Sequence, residues 1–534
     1  MTNRTLFATQ SPPAVHLPRA LNEAGAPAYA LSNEGALAQL AATGCFGRTF
    51  YASAEQQLQD VLSYAVNVDA RFVAQTAVFA RERGFMKDMP ALLCAYVASY
   101  EPRFFDEVFD RVIDSPKMLS TFVQIVRSGV VGRKSFGSMI KKKIVAWLDA
   151  RTDEQLVRGS AGMNPSLPDI IKMVHPRPKT PSRRALYGWL LDRPYDVAAL
   201  PPLVLQYERF RVGGVHERHC VVPDVPFQML TSLPLRPEHW KQIALSASWQ
   251  MARMNLNTFA RQGVWSDGRV VESVAAKLSS TSEIQKARAF PYQLLAAWAM
   301  NGDAPAPIKR ALEAAMEVAI DHVPVFEGRV VVCPDVSGSM QSPVTGTRAG
   351  ATTAVRCIDV AALIASAVVR KNGDALVLPF EHRVVRCDLR RSDRVLENAA
   401  RLAKIGGGGT SCSAPLAWLN EQQVRAVDVV IMVSDNESWC DTRGYRTTET
   451  MHQWALLKKK NPRARLVCLD IQPTTTAPAV ERDDILHVGG FSDQVFLIIS
   501  AFVRGELNGG WAQAIRAVDL GESAMNKEPN SDVA

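Results

Sequence analysis

Apolar residues recur at helical spacing through the first three-fifths of the chain. In the segment from Phe72 to Arg81 they return every three or four positions, the pattern of a helix with one buried face. Further segments of this kind run over 91–97, 104–113, 118–126, 140–148, 184–191, 239–258 and 271–278. Helices in series that bury their faces on their neighbours are typical of an α-solenoid. The Pro- and Gly-rich stretches 159–183 and 192–226 are predicted to be loops.

The rest of the chain has a different rhythm, in which short β-branched runs alternate with helical segments. Strands are predicted at 328–333, 374–380, 427–433 and 465–471, and helices at 352–371, 393–404, 412–423, 447–459 and 492–504. This alternation predicts a parallel sheet covered by helices on both faces. We therefore expect a multidomain protein with a helical domain over 20–325, an α/β domain over 326–517 and a polar, disordered tail over 518–534.

Composition narrows the class of protein. The chain has 534 residues, 47% of them hydrophobic, enough for more than one core. No apolar run approaches the roughly 20 residues of a membrane span, so no membrane partner is expected. The N-terminus lacks the apolar core of a signal peptide, and nine cysteines include no Cys-x-x-Cys pair. These features predict a protein of the reducing cytoplasm.

The positive charge is concentrated in one region. Residues 326–534 hold 24 basic and 24 acidic side chains, whereas residues 131–190 hold 12 basic and 4 acidic ones. This local excess of eight equals the net charge of the whole chain. A local basic field attracts polyanions, and nucleic acid is the first candidate. A solvated helical face is the alternative.

One motif carries metal chemistry. Residues 333–340 read Cys-Pro-Asp-Val-Ser-Gly-Ser-Met and directly follow an apolar strand. Asp335, Ser337 and Ser339 therefore lie in a tight turn where a buried strand ends. One carboxylate and two hydroxyls form a hard oxygen-donor set, suited to Mg²⁺ or another divalent cation.

Two more loops supply ligands to the same place. Thr410 ends the glycine run 406–409, and Asp435 ends the apolar run 429–434. Because the C-terminal ends of parallel strands meet at one edge of a sheet, these side chains are expected beside Asp335. The ordered set resembles the metal-ion-dependent adhesion site of a von Willebrand factor A domain, which implies a Rossmann-like fold.

The basic region has its own candidates. The segment 136–148 predicts one helix whose buried stripe is Ile140, Ile144, Trp147 and Leu148, so at least two of the three lysines 141–143 project outward. Prolines at 176, 178 and 181 predict an extended loop that presents basic side chains. Lysine and arginine neutralise phosphates, and arginine and histidine stack on unpaired bases. The candidate RNA-binding residues are Lys141, Lys142, Lys143, Arg158, His175, Arg177, Arg183 and Arg184.

Three segments of this half resemble the Ro autoantigen (TROVE) family. Residues 136–147 are similar to its Gly-x-x-x-Lys-Lys-x-Val-x-x-Trp helix, and 166–176 to its Ser-x-x-Asp-Leu-Leu-x-Leu-x-His segment. Residues 286–294 resemble its Lys-Ala-Arg-x-x-Pro segment. With the von Willebrand-like half, the resemblance covers roughly residues 20–515. The lysines 141–143, Arg158 and His175 then fall where the family contacts RNA, whereas Arg177, Arg183 and Arg184 are proposed from charge alone.

The resemblance implies a specific architecture and activity. A HEAT-like helical repeat closes into a ring, which works as a monomer, and the von Willebrand domain joins its ends. Small noncoding Y RNA binds the basic outer surface, and single-stranded 3′ ends of misfolded RNA enter the central hole. An exoribonuclease, polynucleotide phosphorylase, is tethered through RNA. The expected function is non-catalytic RNA binding for RNA quality control.

Two other function classes stay open. A metal-dependent protein scaffold would use the Asp335 site and leave the basic helices as mere surface. An enzyme would use the metal with Asp435 and Glu437 for hydrolysis. Against an enzyme, the glycine run 406–409 is followed by Thr-Ser and not by the Lys-Ser/Thr of a phosphate-binding loop. Ser337 also lacks the Gly-x-Ser-x-Gly frame of a nucleophile elbow.

Overall fold

A computed structural model describes most of the chain. The described residues are 20–22, 26–43, 54–217, 220–287, 289, 291–300, 304–320, 323, 325–344, 355–435, 437–438, 448–472, 476–490, 493–506 and 510–521. The chain divides into two compact units, one of residues 1–64 with 322–514 and the other of residues 65–321 with 515–534. We call them the α/β unit and the helical unit. None of the described helices is long and apolar enough to cross a membrane.

The helices and strands follow in chain order. The strands are β1 (Ala20–Leu21), β2 (Pro27–Ala30), β3 (Val330–Pro334), β4 (Leu376–Val377), β5 (Val429–Ser434), β6 (Arg465–Asp470), β7 (Thr476–Ala477) and β8 (Ile485–Gly489). The helices up to residue 212 are α1 (Asn33–Thr43), α2 (Ala54–Val66), α3 (Ala70–Glu82), α4 (Asp88–Tyr100), α5 (Phe105–Val112), α6 (Pro116–Ser128), α7 (Gly137–Asp149), α8 (Asp153–Arg158), α9 (Leu167–Val174), α10 (Pro181–Leu190) and α11 (Pro202–Val212). The later ones are α12 (Phe227–Thr231), α13 (Pro237–Ser246), α14 (Trp249–Met254), α15 (Leu256–Arg261), α16 (Gly268–Leu278), α17 (Thr281–Ala287), α18 (Pro291–Met300), α19 (Ala306–Ala319), α20 (Cys357–Lys371), α21 (Val395–Leu402), α22 (Ala414–Glu421), α23 (Glu449–Lys460), α24 (Asp493–Val503) and α25 (Gly510–Arg516).

The core of the α/β unit is a five-stranded parallel sheet. Its strand order is β4-β3-β5-β6-β8, so β3 and β5 are neighbours in the middle. All residues of β3 and β5 are buried, which explains why their sequences are continuous apolar runs rather than alternating ones. Trp454 of α23 is fully buried against one face, and its indole N–H donates to Asp484. The predicted combination of a helical domain with a parallel α/β domain is confirmed.

The described N-terminal segment packs with this α/β unit. Residues Tyr29 and Ala30 of β2 pair with β7 in an antiparallel ladder, and β1 pairs with β2. Ser32 donates through its backbone N–H and its hydroxyl to Glu481. The sequence predicted one helical domain over residues 20–325. These long-range contacts within the chain instead join the first described residues of that range to the α/β unit. Of the predicted tail, residues 522–534 lie outside the described residues, and Leu520 is buried.

Packed helices make up the helical unit. Helix α3 packs on α4 and α5, and α4 packs on α6. Between α5 and α6, Phe105, Phe109 and Phe122 form one aromatic cluster with ring centroids 5.3 to 6.1 Å apart. Such fully buried aromatic rings contribute strongly to a core.

Two of the predicted loops contain helices. Helix α9 starts within the stretch 159–183 because the Ser166 hydroxyl accepts from the Asp169 N–H and the Asp169 carboxylate accepts from the Ser166 N–H, a reciprocal capping box. Helix α11 starts at Pro202, where a proline ring is compatible with the first turn. Prolines in these stretches therefore begin helices, and the loop prediction was wrong there.

Candidate metal and RNA-binding sites

The candidate metal site lies at the C-terminal edge of the parallel sheet. Asp335 follows β3 and Asp435 follows β5, and the Asp335 N–H donates to the carbonyl of Val433 at 2.9 Å. Both carboxylates are almost completely buried. The neighbouring strands thus bring together the two acidic residues that the sequence separates by 100 positions.

The Asp-x-Ser-x-Ser turn folds back on itself. The N–H of Ser337 donates to Oδ1 of Asp335 at 2.8 Å, and the hydroxyl oxygens of Ser337 and Ser339 are 3.3 Å apart. Ser339 also hydrogen-bonds the Asp435 carboxylate. The two hydroxyls and the carboxylate of the turn therefore lie beside the carboxylate of Asp435.

The glycine loop approaches the same turn through its backbone. The Gly338 N–H donates to the Gly408 carbonyl at 3.2 Å, and the Gly407 N–H donates to the Val336 carbonyl at 3.3 Å. Gly408 has a φ of +78°, and a Cβ there would lie 2.1 Å from Oε2 of Glu381. Thr410, two residues later, is buried. Glycine is needed at position 408 for both conformation and space.

Burial dominates the electrostatics of this site. It raises the pKa of Asp335 to about 7, and the neighbouring Asp435 charge adds to the shift, while hydrogen bonds from Ser434 and Ser337 oppose it. Burial also raises the pKa of Asp435. Among the described residues, no lysine or arginine forms an ion pair with either carboxylate. Two adjacent buried carboxylates are costly without a compensating cation.

The residues present fit a small divalent cation. Asp335, Ser337, Ser339, Thr410 and Asp435 offer only oxygen donors, the ligand type that Mg²⁺ prefers. A dication would offset the mutual repulsion of the two carboxylates. When bound, such a cation supplies a docking point for an oxygen atom of a partner.

Sequence reasoning missed three residues at this edge. Ser434, directly before Asp435, is buried and donates its hydroxyl to Oδ2 of Asp335 at 2.5 Å, so it orients that carboxylate. Asp470 ends β6 opposite Ser434 in the ladder and is buried. Cys357 lies close to these carboxylates. Burial raises the pKa of its thiol well above the ordinary value, and the nearby carboxylate charges raise it further. The end of an apolar strand was the signal for Asp470, as for Asp335.

The three lysines of α7 differ in their surroundings. Lys141 and Lys142 are exposed, and neither forms an ion pair within the described part of the chain. The ammonium of Lys143 is 2.8 Å from Asp110 and 3.5 Å from Asp106, and its side chain is only 17% exposed. The buried stripe of this helix is Ile140, Ile144, Trp147 and Leu148, as predicted.

The candidates after α7 also fall into two groups. His175 closes α9 in the left-handed conformation and is exposed, as are Arg177 and Arg184. Arg158, by contrast, is paired with Glu154 at 2.8 Å and with Asp224 at 2.6 Å.

Arg183 is committed to the fold of the helical unit. Its guanidinium pairs with Asp153 and donates to the carbonyls of Leu148 and Arg151, and its side chain is only 12% exposed. These contacts tie the start of α10 to the end of α7. The neighbouring Arg184 is exposed.

One face of α7 continues into the loop after α9. Lys142 and Asp149 are seven residues apart and so lie on the same helix face, about 10 Å apart along the axis. Asp149 forms an ion pair with Lys179 at 2.7 Å, which places the 175–180 loop at that end of the face. The loop therefore lies at the Asp149 end of the helix face that carries Lys142, and we call this face with the adjoining loop the α7 face.

Comparisons with known proteins agree with this architecture. Residues 329–503 match the family model described as the Ro60 vWA domain. The chain is 24% identical to the RNA-binding protein RO60 of Deinococcus radiodurans, over 91% of this chain and 95% of that protein. It is 22% identical to the RNA-binding protein RO60 of Caenorhabditis elegans, over 45% of this chain and 38% of that protein.

A solved structure shares the fold. The crystal structure of the Deinococcus radiodurans RO (RSR) protein superposes with a TM-score of 0.62 at 21% identity, covering 89% of this chain and 100% of that one. These findings confirm the resemblance to the Ro family that the sequence motifs indicated.

Proposed function

We propose that this Ro-like chain is a non-catalytic RNA-binding protein that holds RNA on the α7 face of its helical unit. The observation that carries the proposal is the set of exposed cations on and beside that face. These are Lys141, Lys142, Arg177 and Arg184, and the exposed imidazole of His175 lies on the same loop as Arg177. Names of relatives that include RNA binding support the same assignment.

The chemistry of these groups suits a phosphate backbone. Exposed lysines and arginines without a carboxylate partner retain their full charge for phosphates, and each contact releases counterions from the RNA. Lys143, Arg158 and Arg183 already have carboxylate partners, so we assign them to shaping the surface rather than to direct contact. Lys179 is paired with Asp149 but remains 75% exposed, so an RNA phosphate can compete for it.

The resemblance to Ro proteins supports finer assignments. We propose a small noncoding, Y-type RNA as the ligand of the basic surface and single-stranded 3′ ends of misfolded RNA as a second ligand class. A monomer suffices for both. An exoribonuclease such as polynucleotide phosphorylase would then reach its substrate through the bound RNA. The function is RNA quality control without catalysis by this chain.

The test is a binding titration with a structured RNA that carries a single-stranded 3′ tail, at two salt concentrations. Lys141→Glu with Lys142→Glu should weaken binding at least tenfold and flatten the salt dependence, because two phosphate contacts become repulsive. Lys459→Glu with Lys460→Glu is the matched control, since it changes two adjacent lysines at the end of α23 in the α/β unit by the same charge. Equal affinity of wild type and the Lys141/Lys142 variant would contradict the assignment of the α7 face.

A second function is favoured by a separate observation, the pair of buried carboxylates at the sheet edge. We propose that Asp335, Ser337, Ser339, Thr410 and Asp435 hold Mg²⁺ as a docking point for a protein partner. This metal-dependent scaffold is the alternative if RNA binding fails. It predicts that an Asp335→Ala variant loses a partner protein while its RNA affinity stays unchanged.

A further inference from the structure

An arginine-rich segment follows β4 on the surface of the α/β unit. Residues 383–394 hold five arginines and two aspartates, although residues 326–534 as a whole are neutral. All five arginines are exposed. Four of them form no ion pair within the described residues, namely Arg383, Arg386, Arg390 and Arg391. One of the two aspartates, Asp393, is paired with Arg401 at 2.9 Å. The segment is therefore a concentrated positive patch in a neutral unit, and neither site described above uses it.

Side chains of α21 hold this segment in place. The carbonyl of Asp388 accepts from the guanidinium of Arg401 at 3.1 Å. The carbonyl of Arg390 accepts from the side-chain amide of Asn398 at 2.6 Å, and the Arg390 N–H donates to the Asn398 side chain at 3.4 Å. Asn398 is itself buried. The backbone of the segment is thus fixed on one side before any partner arrives.

The segment runs as an extended chain near the edge of the sheet. Strand β4 is an edge strand of the five-stranded sheet, and shortly after it the Val385 N–H donates to the carbonyl of Pro379 at 2.7 Å. Over residues 385–390, half-buried and exposed positions alternate strictly, the pattern of a strand with one face on a core. The exposed face of this alternation carries Arg386 and Arg390, about 13 Å apart at the rise of an extended chain.

The backbone of this stretch has an open side. Within the described part of the chain, the N–H groups of residues 386–389 donate to no other group. Neighbouring residues of an extended chain direct their N–H and C=O groups to opposite sides. The groups of Cys387 and Leu389 therefore lie on the side opposite the bonds that join Asp388 and Arg390 to α21. Such a row of N–H and C=O groups is a template for another strand.

These features favour a peptide over a nucleic acid as the partner. A phosphodiester accepts hydrogen bonds but donates none, whereas a peptide backbone offers both N–H and C=O groups at the spacing of a strand. In strand addition the backbone bonds give affinity, and side chains at alternate positions give specificity. Arginine pairs well with carboxylates, so aspartate or glutamate on the added strand suits Arg386 and Arg390.

We infer that residues 385–390 form a docking edge for an extended acidic segment of a partner protein. The partner pairs with the open backbone as an added strand and places its carboxylates at Arg386 and Arg390. Arg383 and Arg391, at the two ends, extend the charge complementarity to a longer segment. The inference goes beyond the proposed RNA binding, which uses the helical unit, and it requires no metal ion.

The probe is a fluorescent peptide of alternating threonine and glutamate, titrated with the full chain in the presence of a chelator. Arg386→Glu with Arg390→Glu should weaken binding at least tenfold, because two attractive charge pairs become repulsive. Arg425→Glu with Arg463→Glu is the matched control, since it reverses two other exposed arginines of the α/β unit, and it should bind within about twofold of wild type. A wild type that does not bind the peptide, or an equal loss in both variants, overturns the inference.

Two further tests separate strand pairing from attraction of charge alone. The same peptide with every backbone nitrogen methylated keeps its charge but cannot donate, so it should bind at least tenfold more weakly. Leu389→Pro removes one N–H from the docking edge and changes no charge, so it should weaken binding several-fold. Circular dichroism and urea unfolding check that this variant keeps its fold. Wild-type affinity of the methylated peptide, or of a folded Leu389→Pro variant, overturns the inference.

Other occupants give different results. Oligouridine is the competing polyanion, and displacement of the peptide by it at micromolar concentration would make the segment a nucleic-acid surface and overturn the inference. Peptide binding that appears only with Mg²⁺ would assign it to the Asp335 site, with the same consequence. The Lys141→Glu with Lys142→Glu variant should bind the peptide as wild type does. Failure of the proposed RNA-binding function is therefore a separate result from failure of the docking edge.

Discussion

The two units arrange their polar side chains in opposite ways. In the α/β unit, Asp335, Asp435 and Asp470 lie buried at one sheet edge, with hydroxyl groups aimed at the first two. In the helical unit, exposed basic side chains lie on the α7 face, among them Lys141, Lys142 and Arg177. Only some of the basic side chains of this region form ion pairs with acidic residues. A buried cluster can discriminate one small ion by geometry. An exposed field can hold a long flexible polyanion in many registers.

This difference also separates the energetic roles of charge. Burying a carboxylate beside another is unfavourable, so the α/β unit stores repulsion that a cation can relieve. Exposed lysines cost the folded state little, so the helical unit can change its surface charge with small effects on stability. Mutations in the first region should therefore change stability and ion binding, and mutations in the second should change affinity for RNA.

The largest expected effect is the contribution of one buried histidine of the α/β unit to the pH dependence of stability. Burial lowers the pKa of His487 in β8 to about 4, against about 6.5 in an unfolded chain. Because the unfolded state binds the proton first, the contribution of His487 to stability is complete above pH 6.5 and falls by about 3 kcal/mol as the pH drops towards 4. The raised pKa values of Asp335 and Asp435 act in the opposite direction, so the contribution of His487 is obtained from the difference between wild type and a variant without this histidine. Urea unfolding at pH 7 and pH 4.5, assigned to each unit by hydrogen exchange, measures it.

The control is a variant that cannot titrate at this position. Between pH 7 and pH 4.5, His487→Leu should lose less stability than wild type, whereas His175→Leu, at an exposed position of the helical unit, should change as wild type does. An equal acid sensitivity of wild type and His487→Leu would show that other groups cause the loss.

Metal addition should sharpen the contrast between the units. A ligand present at 100 times its Kd stabilises the folded state by about 2.7 kcal/mol, so Mg²⁺ should raise the unfolding temperature of the α/β unit. Asp335→Asn should abolish this rise because it removes a charged ligand. Asp374→Asn, at an exposed position of the same unit, should retain it. Differential scanning calorimetry with and without Mg²⁺ or a chelator checks the prediction, and a rise that survives in Asp335→Asn would contradict it.

Adjacent arginines in α10 should separate stability from affinity. Arg183→Ala removes the guanidinium contacts to Asp153, Leu148 and Arg151 and leaves the half-buried Asp153 without its partner, a loss of about 2 kcal/mol of stability. Arg184→Ala should keep wild-type stability and weaken RNA binding several-fold. Urea unfolding and RNA titration of both variants test these expectations. Equal changes of stability and of RNA affinity in the two variants would contradict the separate roles of Arg183 and Arg184.

The smallest effect is expected within α7. Lys142→Ala should lower the slope of log affinity against log salt concentration by about 0.7 to 0.9, the change for one phosphate contact. Lys143→Ala should leave that slope unchanged, because Asp110 and Asp106 already neutralise this lysine. It should cost about 1 kcal/mol of stability or less, because both carboxylate partners of this lysine are exposed to solvent. Titrations of RNA affinity against salt concentration measure both slopes. Equal slopes for Lys142→Ala and Lys143→Ala would contradict the assignment of the phosphate contact to Lys142 alone.

Local sequence was sufficient for the parts of the structure that depend on neighbouring positions. The apolar runs before Asp335 and Asp435 fixed two central strands, and parallel pairing then placed both carboxylates at one edge. The buried stripe of α7 followed from spacing alone. Strand β8 was missed because its five residues include His487 and follow the acidic pair 483–484, which hides the apolar pattern.

Contacts between distant positions could not be predicted from the sequence. The partners of Lys143 lie 33 and 37 residues earlier in the chain, and the acidic partner of Arg183 lies 30 residues earlier. Nothing in a run of basic residues indicates which of them face a carboxylate. Helix α9 was missed because the prolines of this stretch were interpreted as a sign of a loop. Pro168 lies in the first turn of the helix, where proline is tolerated.

The pairing of β2 with β7 sets an order of events during synthesis. Ser32 and Glu481 are separated by 449 residues, so at 5 to 20 residues per second roughly 20 to 90 seconds pass between their appearance at the ribosome. The whole helical stretch 65–321 emerges within that interval and can fold first. The edge of β2 that later pairs with β7 has no partner during this interval, so its hydrogen-bonding groups are available to other chains. Faster synthesis shortens that interval, and a chaperone bound to the nascent β2 segment protects its edge until β7 has been made.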